Sequence, residues 1–273
     1  MADLTELQST QGVKIAGADS TGLETGWVAS YNSGQVNADL SYTTPGISFG
    51  DVATGALTTF AIQRTPYTEQ TTNGQRSIAS ASALDTAAGT GAKTIILTYF
   101  DQTGVGPFTE TLTLSGTTGV NTVSTTICFI ESIVVSTVGS TGSNAGIITL
   151  YSAINKGGGT VWTIAATNNR TFAARHYVAV GSTAHITGIN VGHSSTFGNN
   201  GSVWAIRSRP VNAANAVEVQ ISDISRLYGT SSSFSRSYLS PIKVVGPARI
   251  TMYVTPETNN ANICRGSFDY FEV

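Results

Sequence analysis

The fold class is indicated by one stretch of strict alternation, Phe108-Thr109-Glu110-Thr111-Leu112-Thr113-Leu114. Three threonines occupy one side of the extended chain, and apolar residues occupy most of the other. This two-residue period is typical of a strand with one face on a core and the other in solvent. The stretch is therefore a predicted hairpin partner of Thr94–Phe100, from which turn-forming residues separate it.

Similar apolar or β-branched runs recur along the whole chain, and Gly, Asn, Asp and Ser separate them. The other predicted strands are Trp27–Ser30, Val36–Tyr42, Leu57–Gln63, Thr122–Val138, Gly146–Ala153, Thr160–Ala165, Thr171–Val180, Ala184–Gly192, Ser202–Arg209, Ala216–Ser222, Ser240–Val245, Arg249–Val254 and Arg265–Val273. The Ala-rich stretch Ser77–Leu84 fits a period of two as well as a helical period. Short strands with frequent turns predict an all-β fold, an antiparallel, jelly-roll-like β-sandwich built as two β units.

A break in the strand pattern at Gly116–Asn121 predicts a boundary between these units. Residues 1–120 are predicted to form an N-terminal β-rich region, with an attachment arm at Ala2–Ala16 that orders on a neighbouring protein. Residues 121–273 are predicted to form a C-terminal β-sandwich.

The run Ile127–Val135 is apolar on both faces, apart from Glu131. Such a strand is central, covered on both sides, or buried in a subunit contact. Because one small sandwich offers limited cover, the run favours a large apolar interface between subunits. Glu131 needs solvent or a partner.

The composition excludes several function classes. Of the 273 residues only 11% are charged, 70 are Ser or Thr, and the net charge is −2. The chain lacks the basic field that nucleic-acid binding requires, and no apolar run reaches the length of a membrane span. No Sec signal is visible at the first residues. We expect neither nucleic-acid nor membrane partners.

The two cysteines, Cys128 and Cys264, each lie in an apolar, strand-like run. This placement is typical of buried thiols that act as small hydrophobic side chains. We expect a protein made in a reducing cytosol that does not depend on a disulfide, although the sequence leaves pairing of the two cysteines open.

No candidate catalytic motif has the sequence context that its chemistry requires. The segment Gly46-Ile47-Ser48-Phe49-Gly50 matches the nucleophile-elbow pattern, but no helical pattern follows it, as that chemistry requires. The 16 acidic residues suggest no carboxylate pair of the kind that glycoside hydrolysis uses. We expect no catalytic residues, no cofactor and no enzymatic activity.

The three histidines, His176, His185 and His193, lie in successive predicted strands. Their spacing does not bring them together as metal ligands, so no metal site is predicted. His176 shares strand parity with Phe172 and Val178, as a core or interface histidine would. A histidine cluster on an oligomer axis is the alternative. The tryptophans Trp27, Trp162 and Trp204 fit core packing better than sugar stacking.

Several segments together resemble a family of virion structural proteins of tailed bacteriophages. They are Asp85–Thr94, Thr109–Val120, Gly139–Ile148, Asn169–Thr183, Pro241–Ile250, and Asn259-Asn260 before Gly266–Asp269. The resemblance covers about residues 75–273 and consists of strand and turn patterns without an active site. One departure is Val178-Ala179-Val180-Gly181, where family members often have a Pro-Ala-Gly turn. The resemblance implies β-sandwiches and homo-oligomers, often homotrimers, on the virion.

The function expected from these features is a structural role in a tailed-phage particle, as a capsid decoration or cement protein, a fibre-like protein or another minor structural protein. Its partners would be copies of itself, in a homotrimer, and other virion proteins of the capsid, neck or tail. The alternative is a receptor- or carbohydrate-binding module on the virion surface, which would need exposed aromatic residues in a groove. Tyr228 and Tyr238, beside the polar segment Gly229–Ser237, are candidates for that groove. The polar segment itself is predicted to be a surface loop.

Overall fold

The computed structural model describes residues 41–43, 48–52, 60–195, 201–211, 217–228, 231–256 and 262–273, and these residues form strands without a helix. No helix in this part of the chain is therefore long and apolar enough to cross a membrane. The strands are β1 (Ser41–Thr43), β2 (Ser48–Val52), β3 (Phe60–Ala61), β4 (Ser77–Ser80), β5 (Ala92–Phe100), β6 (Phe108–Thr113), β7 (Val120–Asn121), β8 (Phe129–Val138), β9 (Ile148–Tyr151), β10 (Thr160–Ile164), β11 (Arg175–Val178), β12 (Thr183–Ser195), β13 (Gly201–Pro210), β14 (Val219–Tyr228), β15 (Ser231–Val245), β16 (Ala248–Pro256) and β17 (Asn262–Glu272).

The first sandwich is built from β4–β10. Sheet I has the strand order β10-β9-β4-β7, sheet II has the order β6-β5-β8, and all pairs are antiparallel. Their inner faces share one apolar core, which includes Ile78, Ile95, Leu97, Ile130, Ile133, Leu150, Val161 and Trp162. The Ala-rich stretch therefore contributes a strand, β4, and not a helix.

The second sandwich is built from β1–β3 and β11–β17. Sheet III has the order β1-β17-β12-β15, with β2 also on β17, and sheet IV has the order β11-β16-β13-β14, with β3 also on β16. Their shared core includes Ile186, Val191, Trp204, Ile206, Ile250, Met252, Cys264 and Phe268. The predicted all-β, antiparallel β-sandwich fold is confirmed, and its jelly-roll-like form stays a prediction.

The first sandwich is inserted into the second, because β4–β10 lie between β3 and β11 in the chain. Strand pairing also crosses residue 120, since β5 pairs with both β6 and β8. The predicted division into 1–120 and 121–273 stays a prediction. The predicted arm at Ala2–Ala16 lies outside the described residues.

The hairpin predicted from the alternating stretch is present. β5 pairs antiparallel with β6, and Tyr99 lies opposite Phe108. On β6 Leu112 is buried while Thr109 and Thr111 are exposed, as the period of two requires. Phe108 is the exception on the apolar side, since it lies beside the loop that connects the two strands and is 42% exposed.

The two-sided apolar strand β8 is covered by this chain itself. Ile130 belongs to the core of the first sandwich, whereas Cys128 and Phe129 pack with Tyr177 of β11 between the two sandwiches. Of the three alternatives for this run, cover from within the chain applies to Cys128 and Phe129, because the second sandwich contributes Tyr177 to their cluster. The predicted homotrimer stays a prediction.

The cysteines are buried, as expected, and neither forms a disulfide in the described part of the chain. Cys128 lies between the sandwiches, and Cys264 lies in the core of the second sandwich. Burial raises the pKa of the Cys128 thiol to about 11. This thiol is therefore protonated and weakly nucleophilic at neutral pH.

The predicted surface loop at Gly229–Ser237 is wrong for the residues from Ser231 onwards. These residues form the first half of β15 and pair with β12, with Ser231 opposite Ser194 and Ser237 opposite Gly188. A serine-rich strand is possible here because one face of sheet III is exposed to solvent. Gly229 and Thr230 lie outside the described residues.

Candidate functional site

The seam between the two sandwiches holds the most unusual polar chemistry of the described chain, and His176 is part of it. His176 lies on β11 and is 7% exposed. Its Nδ1 lies 2.9 Å from Glu131 Oε1 of β8, and its Nε2 lies 2.8 Å from Glu272 Oε2 of β17. The Tyr270 ring stacks on the imidazole with 4.1 Å between centroids. One histidine thus joins strands of three different sheets.

His176, Glu131 and Glu272 are called the triad below. The two carboxylates of the triad also accept hydrogen bonds from the backbone of β11 and of the residues after it. The other Glu131 oxygen accepts from Tyr177 N at 2.9 Å, and the other Glu272 oxygen accepts from Ala179 N at 3.2 Å. Glu131 therefore has the partner that its place in an apolar strand requires.

His176 and Glu272 keep their charges at neutral pH. Burial alone would lower the pKa of His176, but the charge and hydrogen bond of Glu131, together with Glu272, raise it to about 9. Burial opposes ionisation of Glu272, whose pKa is nevertheless lowered by the hydrogen bond and charge of His176. The site is an imidazolium between two carboxylates, which holds protons in place and does not release them near pH 7.

The other two histidines lie elsewhere in the second sandwich. His185 stacks on Phe271 of the adjacent strand, with 4.8 Å between ring centroids, and burial lowers its pKa. His193 Nδ1 lies 3.2 Å from Ser202 Oγ. The three histidines do not meet within one chain. Among the described residues no group of His, Cys, Asp or Glu has the arrangement of a metal site.

A face of arginines covers the side of sheet IV that is turned away from its own core. On β16, Ile250 and Met252 point into the core of the second sandwich, so Arg249 and Thr251 lie on the opposite face. Strand register places the remaining members of this arginine face beside them: Arg175 and Arg207 lie opposite Thr251, and Arg209 lies opposite Arg249.

Two glutamates partly neutralise the arginine face. Glu69 forms ion pairs with Arg249 and, at 3.5 Å, with Arg209. Glu218 lies 2.9 Å from Arg249 Nη2 and 3.5 Å from Arg207 Nη1. Tyr253 Oη donates to Glu218 at 2.7 Å, and burial together with this hydrogen bond raises the pKa of Tyr253 to about 12.

Arg175 differs from the other arginines because aromatic rings, not carboxylates, surround it. It is 8% exposed, and its Cζ lies 3.7 Å from the Tyr67 ring centroid and 4.5 Å from that of Trp162. Its Nη2 donates to Ile130 O at 3.1 Å. Within the described residues no carboxylate lies at ion-pair distance from it.

A cavity of about 150 Å³ opens between the arginine face and the segment that enters the first sandwich. Its polar lining consists of Gln63, Tyr67, Glu69, Arg175, Arg249, Thr251 and Tyr253. Three buried polar atoms of this lining have no hydrogen-bond partner in the described structure: Arg175 Nε, Arg249 Nε and Thr251 Oγ1. We call this space the seam cavity.

The remaining sequence candidates have structural positions. Trp162 and Trp204 are buried, and their Nε1 atoms donate to Thr65 O and Ser202 Oγ. Ser48 of the elbow-like motif lies in β2, opposite Gly266 on a neighbouring strand, so it is not on a strand-to-helix turn. Trp27 lies outside the described residues.

The two tyrosines that the sequence offers for a groove differ in their exposure and packing. Tyr228 is 56% exposed. Tyr238 packs against the second core and its Oη lies 2.9 Å from Ser222 Oγ.

Sequence reasoning missed the arginine face and the seam cavity. The only signal is the two-residue spacing of Arg207 and Arg209, and of Arg249, Thr251 and Tyr253. That spacing predicts a polar strand face, but it does not tell which strands pair, and the net charge of −2 hides a local excess of positive charge.

Comparisons with known proteins add little to this description. No family model matches the chain, and no curated protein matches it either. Among solved structures, infectious bursal disease virus, Gx strain, matches with 10% identity and a TM-score of 0.25, over 86% of this chain and 73% of the other. A mutant VP2 protein of the same virus, in derived T=1 particles, matches with 6% identity and a TM-score of 0.26, over 87% and 71%. TM-scores this low carry no argument about the present chain.

Proposed function

We propose that this chain is a structural component of a tailed-bacteriophage particle, a capsid decoration or cement protein or a fibre-like protein. It acts by packing against copies of itself and by attaching to other virion proteins. The proposal rests on the sequence resemblance and on one structural observation, a row of exposed valines at the end of sheet III.

The valine row lies at one end of sheet III, where Val245 ends β15, Val273 follows β17 and Val180 precedes β12. Val245 of β15 lies opposite Thr183 of β12, and Thr183 exchanges two backbone hydrogen bonds with Val273. Val245 is 70% exposed and Val273 is 45% exposed. Val180, 47% exposed, lies in the turn that leads into β12. Neighbouring exposed apolar side chains on a charge-poor surface are typical of a protein–protein contact.

The internal construction suits a particle component. The triad of His176, Glu131 and Glu272 fastens both sandwiches to one another, and most strand pairs join residues far apart in the chain. We expect such a fold to unfold slowly, because many contacts must break together. A protein outside the cell needs this property, since no chaperone restores it there.

Sedimentation velocity tests the packing proposal directly. We expect a homotrimer of about 85 kDa from the 28.3 kDa chain at micromolar concentration. Val245→Glu places a charge in the valine row, where burial is costly, and should shift the protein to monomer. The matched control is Val123→Glu, because Val123 is 85% exposed but lies away from the row, in the first sandwich. A wild-type monomer would overturn the packing proposal.

Electron microscopy of intact particles, with antibody against this chain, tests the location. Label at regular positions on the capsid, neck or tail supports the proposal, and particles that lack the chain would reject it. Removal of Ala2–Ala16 should abolish attachment without unfolding the rest of the chain.

A carbohydrate- or receptor-binding role is the second candidate, and a shallow groove across sheet III favours it. The groove has a volume of about 320 Å³ and includes the small or polar residues Asn190, Gly192, Ser233, Ser235, Arg265 and Ser267. Phe234 also lines it but packs against the core. A glycan array without hits would remove this candidate.

A further inference from the structure

We infer that the seam cavity is a binding site for a small oxyanion, held by Arg175, Arg249 and Thr251. This inference goes beyond the proposed structural role, because it concerns a ligand inside each chain. It rests on three observations: the unpartnered donors, the local charge and the position of the cavity.

The unpartnered donors are the first observation. Arg175 Nε, Arg249 Nε and Thr251 Oγ1 are buried without a hydrogen-bond partner in the described structure, and all three residues line one cavity. A buried donor without an acceptor is costly, so folded proteins rarely keep several together. An oxyanion supplies several acceptor oxygens at once and would satisfy them together.

The local charge is the second observation. The arginine face carries four guanidinium groups, on Arg175, Arg207, Arg209 and Arg249, against the carboxylates of Glu69 and Glu218. Among the described residues that line the cavity, the positive charges of Arg175 and Arg249 outnumber the single carboxylate of Glu69. The neighbouring triad, with its excess negative charge, does not cancel them directly, since His176 alternates with Arg175 and Tyr177 and lies on the opposite face of β11.

Arg175 shows the charge excess most clearly. It is buried among rings that favour a cation, and no carboxylate lies at ion-pair distance from it in the described residues. A buried guanidinium normally meets a carboxylate or a phosphate, often through two parallel hydrogen bonds. Its free Nε–H is the donor that such an anion would take.

The position of the cavity is the third observation. One wall belongs to β11 and β16 of sheet IV, and the other belongs to Tyr67 and Glu69, just before the first sandwich. An anion bound there contacts both walls. It should therefore stabilise the junction of the two sandwiches as well as the donors themselves.

Isothermal titration calorimetry of the full chain tests the inference. Inorganic phosphate and acetate are titrated separately, at matched ionic strength, in a buffer without other oxyanions. We expect saturable binding of at least one anion, and the comparison tells a tetrahedral oxyanion from a planar carboxylate. Absence of saturable heat with both anions would overturn the inference.

Two variants locate the site and one controls for charge. Arg175→Gln and Thr251→Val should each weaken binding by about tenfold, because each removes one donor to the anion. Arg236→Gln loses the same charge as Arg175→Gln, but Arg236 is exposed on β15 of sheet III, and it should bind like the wild type. Unchanged affinity in both cavity variants would reject the site.

Thr251→Val also separates ligand binding from a structural role. In anion-free buffer its melting temperature should equal or exceed that of the wild type, because an unsatisfied buried hydroxyl is replaced by a methyl group. The increase in melting temperature on adding the anion should nevertheless be smaller than in the wild type. This variant keeps the test decisive if Arg175→Gln fails to fold.

Discussion

The two sandwiches share one Ser-, Thr- and Gly-rich composition, but their backbone N–H and C=O groups find hydrogen-bond partners in different ways. Strands of the first sandwich have two to ten residues, whereas β12–β17 of the second have nine to fifteen. Short strands leave more backbone groups outside the ladders, and these groups need other partners. Long strands bond one another along most of their length.

In the first sandwich buried polar side chains supply those partners. Asp85 accepts hydrogen bonds from Ser80 Oγ and from the backbone N atoms of Ala92, Ala145 and Gly146, at 2.5 to 2.9 Å. Arg76 donates to the carbonyl oxygens of Ser152, Thr72 and Ile127. These side chains hold the loops by hydrogen bonds. Loss of a single side chain should therefore lower the free energy of unfolding more here than in the second sandwich.

Asp85→Ala gives the largest expected effect. Removal of the carboxylate leaves three backbone N–H groups of the first sandwich without an acceptor, and we expect the free energy of unfolding to fall by about 4 kcal/mol. Urea unfolding followed by tryptophan fluorescence measures it. Asp101→Ala is the matched control, because Asp101 also accepts loop hydrogen bonds but in an exposed turn, and it should cost about 1 kcal/mol. Equal losses would show that burial of the acceptor is unimportant.

His176→Gln tests the junction between the regions. His176 has a folded pKa of about 9, above its ordinary value of 6.5, so its stabilisation is complete below pH 6.5 and is lost as the pH rises through 9. Glu272 has a lowered pKa, so its contribution is lost only as the pH falls below its ordinary value of 4.5. We expect a loss on the order of 3 kcal/mol at pH 6.

The pH dependence separates this charge effect from lost packing. Between pH 6.5 and 8.5 the wild type should lose stability with rising pH, while His176→Gln should show a flatter profile. Chemical denaturation at several pH values measures both slopes. Parallel profiles would mean that the imidazolium is not the source of the stabilisation.

Gly266→Ala gives the smallest of the three effects and probes packing in the second sandwich. A Cβ at Gly266 would lie 2.4 Å from Met252 Sδ and 3.1 Å from the Trp204 ring, so the core must shift, at a cost of about 2 kcal/mol. Gly192→Ala, on the adjacent β12, meets nothing closer than 3.6 Å and should change stability by less than about 0.5 kcal/mol. A cost for Gly266→Ala above that of Asp85→Ala would break the comparison between the sandwiches.

Strand positions were largely readable from the sequence, because a two-residue period depends only on local residues. The hairpin of β5 and β6 and the buried run of β8 are examples. The polar start of β15 is a strand where the sequence predicts a loop, because its serines carry no apolar alternation.

The triad and the arginine face could not be predicted from the sequence in this way. The need of Glu131 for a partner was evident, but its partner His176 is 45 residues away in the chain, and Glu272 is a further 96 residues from His176. Only the pairing order of β11, β16 and β13 brings Arg175, Arg207 and Arg249 onto one face. Periodicity gives the face of a residue, and it gives no information on which strands become neighbours.

The place of β17 in sheet III has a consequence for biosynthesis. This strand lies between β1 and β2 on one side and β12 on the other, although it is translated after all of them. The ribosome releases β4–β10 much earlier, so the inserted unit has time to fold while its host sheet still has a gap in the middle. Until β17 emerges, β12 presents an unpaired edge. On a polysome that makes many copies of the chain, this edge can pair wrongly with a neighbouring nascent chain.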